Sequence, residues 1–94
     1  FTSVERSKEA VLREDLNVMR DAIDKFYGDT GTYPPSLDEL VTRRYLRNVP
    51  VDPITESALT WQPLPPPDAS GGGVYDVRSG AEGTTRDGVA FNAL

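Results

Sequence analysis

Arg43, Arg44 and Arg47 form the one local cluster of like charge in the sequence, and three guanidinium groups at that spacing could hold an anion. Two facts weigh against that chemistry. The cluster falls where a short helix should end, and cations are favoured there by the helix dipole alone. The chain as a whole is acidic, 15 Asp and Glu against 10 Lys and Arg, so its mean field repels phosphate backbones and argues against nucleic acid as a partner. With no His and no Cys, the sequence lacks the commonest general base, the commonest zinc ligand and any thiol nucleophile. No Gly-x-Ser-x-Gly elbow or phosphate-loop glycine pattern is present. The carboxylates are scattered, several of them along a helix that needs them for solubility. A pair of carboxylates for acid–base work is the catalytic device weighed against this inventory, and the expectation is that the protein is not an enzyme. Asp52-Pro53 reads as a rigid turn rather than a site.

The elements behind these residues follow from periodicity. Residues 1–28 contain no proline and no glycine before Gly28, and Leu12, Leu16, Met19, Ile23 and Phe26 recur at steps of four, three, four and three. At about 100° per residue they form one stripe, the core face of a long helix. A second line, Val4, Val11, Val18 and Ala22, lies about a quarter-turn away; it either widens the core face or packs on another subunit. Between Val4 and Ala10 nothing apolar is available, so that part should be solvated or held by a neighbour. A helix of this length is close to 40 Å long, more than a compact domain of 94 residues accommodates, so one end is expected to project. Glu9 with Arg13 and Asp21 with Lys25 stand four apart, acid first, as exposed pairs do. Because the pattern is already running at Phe1, the helix is expected to continue upstream.

Gly28 and Gly31 should stop this helix. Ser36 and Glu39 have capping-box spacing for a short second helix over 36–46, with Leu37, Leu40 and Val41 as its buried face. Beyond the Pro50 and Pro53 turn, alternation predicts strands over 58–62, with Leu59 and Trp61 on one face, and over 74–78, with Tyr75 and Val77 on one face. A short apolar mark at 89–91 suggests a third strand. The proline- and glycine-rich stretch 63–73 should be a mobile connection between strands. Together these give one α+β domain over 1–94: a long helix, a short helix and, over 58–94, a small antiparallel sheet of two or three strands with a C-terminal loop. Its heart should be Trp61, Tyr75, Val77 and the stripe from Leu16 to Phe26.

Four segments in this order resemble a known family. They are Ala22-Ile23-Asp24-Lys25-Phe26-Tyr27; Gly31-Thr32-Tyr33-Pro34-Pro35-Ser36-Leu37-Asp38-Glu39-Leu40; Tyr45-Leu46-Arg47-Asn48-Val49-Pro50-Val51-Asp52-Pro53; and Val74-Tyr75-Asp76-Val77-Arg78-Ser79-Gly80-Ala81-Glu82-Gly83. The chain is similar, over 7–83, to the major pseudopilins of bacterial type II secretion systems and to type IV pilin-like proteins. The resemblance implies a structural subunit that self-associates through its N-terminal helix into a helical filament, alongside other pseudopilins and inner-membrane secretion proteins. It also implies an apolar half-helix upstream of Phe1, sitting in the inner membrane, with this domain in the periplasm. The family's glutamate near the mature N-terminus belongs to that upstream half, so Glu5 is not its counterpart.

Family members commonly hold calcium in the loop after the last strand. Here 80–88 offers Glu82 and Asp87 as candidate ligands, with Thr84 and Thr85 between them and Ser79 nearby, few acids for an ion that takes six to eight oxygens. No other cofactor is expected. Two alternatives stay open: a pilin or minor pilin with an adhesive or electron-transfer-associated role, and a monomeric binding module using the 63–73 loop or a groove beside Trp61.

Overall fold

The computed structural model describes residues 3–67 and 72–94, with side chains of the first helix described from Arg6 onward. Helix α1 spans Ser3–Thr30 and helix α2 spans Leu37–Thr42; strands β1, Gln62–Leu64, and β2, Asp76–Arg78, pair antiparallel; a 3-10 turn, Phe91–Ala93, follows. The α+β class and the order of elements are as the periodicity requires.

At about 1.5 Å per residue the 28 residues of α1 measure about 42 Å. The molecule's longest dimension is 43 Å, so this helix sets its length. Leu12, Leu16, Met19, Ile23 and Phe26 are all buried, and the stripe is the core face the spacing predicts. Gly28 does not stop the helix. The chain turns at Gly31, whose φ of +79° is the left-handed geometry that glycine tolerates and whose N–H reaches back to the Tyr27 carbonyl at 2.8 Å. Glu9 lies near the helix's N-terminal end and is not left to solvent: its carboxylate accepts from the Arg86 N–H at 3.1 Å, so a neighbouring loop holds this end.

In α2 the Ser36 hydroxyl accepts from the Glu39 N–H, the expected N-cap. The helix ends four residues before the anticipated 46. Arg44, with φ of +67°, sits in the left-handed position of a Schellman turn. Its N–H bonds to the Val41 carbonyl, and the Tyr45 N–H bonds to Leu40. That wrap delivers Leu46 into the core beside Leu40.

The sheet is shorter and shifted. Its register pairs Gln62 with Arg78, Pro63 with Val77 and Leu64 with Asp76. The strand anticipated over 58–62 is corrected to Gln62–Leu64, and Leu59 does not share a face with Trp61: it is 92% exposed while Trp61 is buried. The reason is local. Asp52 and Ser57 bridge across a tight loop, and the Ser57 hydroxyl takes the Leu59 N–H, so this stretch is committed to turns. Trp61 is held instead by its indole N–H, which donates to the Pro50 carbonyl at 2.8 Å.

Tyr75 is likewise corrected. It lies before β2 and is exposed, packing edge-on against Tyr33 at 5.2 Å rather than joining Val77 in the core. The third strand at 89–91 is not formed. Thr84 and Ala90 make a single bridge, and the 3-10 turn begins at Phe91. Part of the 63–73 connection, residues 68–71, lies outside the described residues.

Arg20 ties the layers together. From α1 its Nε meets the Asp76 carboxylate at 2.8 Å, and one Nη donates to the carbonyls of Val77 and Leu94, each at 2.8 Å. Strand β2 and the C-terminal turn are thereby fixed on the helix.

Candidate functional site

The side of α1 turned away from the sheet carries the arrangement with most functional content. Val11 and Val18 are 48% and 43% exposed, while Ala22 of the same line is buried. The second apolar line therefore does not widen the core along its length; it leaves two β-branched side chains, one heptad apart, open on a long helix. Beside them the exposed residues are polar or charged, Ser7, Glu14, Asp21 and Lys25, whereas Arg6 and Arg13 lie on the far side of the helix. Neither Glu9 with Arg13 nor Asp21 with Lys25 forms an ion pair among the described residues: Glu9 is engaged by the Arg86 N–H, and Arg13, Asp21 and Lys25 stand exposed. Such a surface can pack against another helix.

Asp15 borders this face. Burial pushes its carboxyl above the usual carboxylate range, and the negative charges of Asp52 and Glu14 add to the shift. Asp52 itself is completely buried. One carboxylate oxygen accepts the N–H groups of Ile54 and Thr55 at 2.8 and 3.2 Å; the other accepts the Ser79 hydroxyl at 2.5 Å. Ser79 in turn accepts the Ala81 N–H. The turn reading of Asp52-Pro53 thus describes the local geometry but misses the partner. The local signal was the aspartate opening an Asx-type turn; nothing near it pointed to Ser79.

The arginine cluster is not gathered around one point. Arg43 is taken up by Glu39, at 3.2 Å, and lies 5.8 Å from the centre of the Phe26 ring; Arg44 is the turn residue, and both it and Arg47 are exposed. Next to it the Tyr45 hydroxyl donates to Asp29 at 2.6 Å, and that bond raises the phenol's pKa, with desolvation and the Asp29 charge adding to it.

Glu82 and Asp87 are both exposed, Asp87 at the tip of a small hairpin and Glu82 before its base. The hairpin is closed by its own groups: Thr85 N–H to the Val89 carbonyl, Gly88 N–H to Thr85, and Phe91 N–H to Gly83. Among the described residues no three acids gather as a metal set. With two exposed carboxylates and the loop carbonyls of Gly83 and Thr85 already engaged, the donor set does not fit an ion needing six to eight oxygens.

Beside Trp61 a groove of about 260 Å³ is lined chiefly by Pro35, Leu37, Val49, Ala58, Leu59 and Pro63. Tyr27 stacks on Tyr33 at 4.4 Å on a separate patch. Among the described residues no helix is long and apolar enough to cross a membrane. No family model, curated protein or solved structure matches this chain.

Proposed function

We propose that the protein is a pseudopilin-like structural subunit of a bacterial type II secretion-like filament, built by packing α1 of one copy against α1 of others, and not an enzyme. The observation that carries this reading is the exposed pair Val11 and Val18 on a helix as long as the molecule. Exposing two branched apolar side chains forgoes roughly 1 to 2 kcal/mol of burial apiece, a loss recovered when another helix covers them. The four sequence segments that resemble major pseudopilins support the same reading. On it, the domain lies in the periplasm, is anchored through an upstream apolar helix, and assembles with other pseudopilins and inner-membrane secretion proteins.

The complete gene tests this directly. It should encode about 20 apolar residues immediately before Phe1, enough to cross a bilayer. A reading frame that opens within a few codons of Phe1, or a cleavable secretory peptide ending there, would contradict it. A pilin or minor pilin subunit uses the same face and stands as the neighbouring reading. A monomeric binding module is favoured only by the groove beside Trp61, where Leu59 stands almost wholly exposed at the rim.

A further inference from the structure

Arg13, Asn17 and Arg20 follow one another at steps of four and three, so they stand in line on one face of α1, well round the helix from Val11 and Val18. With Leu16 and Leu94 they line a cavity of about 150 Å³ at the C-terminal turn. Donors are in excess here. Arg20 gives its Nε to Asp76 and one Nη to the carbonyls of Val77 and Leu94. Arg78 reaches the same turn from β2, donating Nη1 to the Ala93 carbonyl at 2.8 Å, and its buried Nε has no acceptor among the described residues. Arg13 and Asn17 are exposed, and neither side chain has a hydrogen-bond or ion-pair partner among the described residues.

Two guanidinium groups thus converge on main-chain carbonyls, weaker acceptors than an anion, with Asp76 as the one carboxylate they share the space with. Asp76 offsets Arg20. Arg13 is left as a positive charge without a counter-charge on the cavity wall.

We propose that this cavity is a binding site for a small monocarboxylate. The Arg13 guanidinium offers a planar fork that matches the two carboxylate oxygens, and the Asn17 amide supplies a further N–H. Leu16 and Leu94 border the hydrocarbon part of the acid. Charge and size select this class. One uncompensated cation suits a monoanion, while a chain of net charge -5 repels polyanions such as phosphate. At about 30 Å³ per water molecule the cavity has room for about five waters, or an acid of roughly three to five heavy atoms. The site lies apart from the valine face and does not depend on the filament reading.

The test is a titration of the 15N-labelled protein with sodium propionate at pH 7, the ionic strength held constant with sodium chloride. The Arg13 Nε–H, the Asn17 side-chain amide and the Leu94 N–H should shift along saturating curves with one dissociation constant, in the millimolar range that a single exposed guanidinium supports. Arg13→Ala should weaken binding about tenfold or more, and Asn17→Ala about threefold, the losses expected for a charged and a neutral donor. Since neither side chain has a structural partner, both variants should melt with the wild type.

Shifts that are absent, that never saturate, or that sodium chloride alone reproduces would overturn the proposal. Undiminished binding by Arg13→Ala would overturn it as well, by placing the ligand elsewhere. Inorganic phosphate binding more tightly than propionate would overturn the monocarboxylate assignment. A chain extended by two glycines past Leu94 moves any main-chain carboxylate away from the cavity. Unchanged affinity in that chain supports a free acid as the occupant, and a tightening of about tenfold would overturn it in favour of the chain's own carboxylate.

Discussion

The Ser79 hydroxyl lies 2.5 Å from a carboxylate oxygen of Asp52, with both side chains fully buried and 27 positions apart in the sequence. One bond joins the turn after α2 to the exit of β2, and Asp52 holds its own loop with its other oxygen. A buried carboxylate with three donors is stable only while all three remain.

Removing either partner should therefore be costly. Asp52→Ala is expected to lose about 3 kcal/mol, because two backbone N–H groups and the Ser79 hydroxyl lose an ionised acceptor. Ser79→Ala should lose about 1 to 3 kcal/mol, leaving the carboxylate short of a donor. Asp52→Asn keeps an oxygen for the turn and should fall between wild type and Asp52→Ala. Urea unfolding of the three variants checks the order.

Asp15 gives the opposite sign. Its folded-state pKa is raised, by burial first and then by Asp52 and Glu14. A raised carboxyl favours the folded state only where it is protonated, below about pH 4, and that contribution is lost as pH rises through the folded value. At pH 7 the charge opposes folding. Asp15→Asn should raise Tm at pH 7, and the gain should vanish below about pH 3.5, where wild-type Asp15 is itself neutral. Melts across pH 3 to 8 decide it, and a gain independent of pH would place the effect elsewhere.

Arg44 occupies a left-handed turn position that glycine fills in most Schellman motifs. Since a side chain costs about 1 kcal/mol in that geometry, Arg44→Gly should stabilise the protein by up to about that amount, while Gly31→Ala, at φ of +79°, should destabilise it by a similar amount. Denaturant midpoints read both.

The loop carrying Glu82 and Asp87 is closed by its own backbone bonds and lacks a third acid. Melting temperatures with millimolar calcium and with a chelator should agree, and Glu82→Gln with Asp87→Asn should be nearly silent. A stoichiometric site in a calorimetric titration, with a stability gain of about 2.7 kcal/mol at a hundredfold excess over Kd, would show that the loop rearranges around the ion.

What the sequence discloses here depends on how local the cause is. The core stripe of α1 is legible because five buried positions share one period, and the Ser36 cap because both its partners lie within one turn. The shifted first strand is not. Leu59 and Trp61 have the alternation of a strand, but the bond that places Trp61 runs to Pro50, and the loop between Asp52 and Ser57 exposes Leu59. Tyr75 goes outward for a similar reason: Tyr33, fixed by the prolines after it, offers its ring at the surface. Arg20 and Ser79 meet partners 56 and 27 residues away, separations that no periodicity marks. On the candidate face the spacing of Val11 and Val18 is visible in the sequence. Their exposure is visible only in three dimensions.

The central claim is that the exposed face of α1 joins copies into a fibre. Its most direct test is electron microscopy of fibres sheared from bacteria that make the protein from its complete gene, comparing wild type with Val11→Asp/Val18→Asp. Both valines are 48% and 43% exposed, so the paired change should cost the isolated domain no more than about 1 kcal/mol. The account predicts fibres that bind antibody to this chain in the wild type, and none from the variant, although the variant domain melts cooperatively close to the wild-type temperature. Fibres of unchanged number and length from the variant, or a wild type found only as monomer, would contradict it.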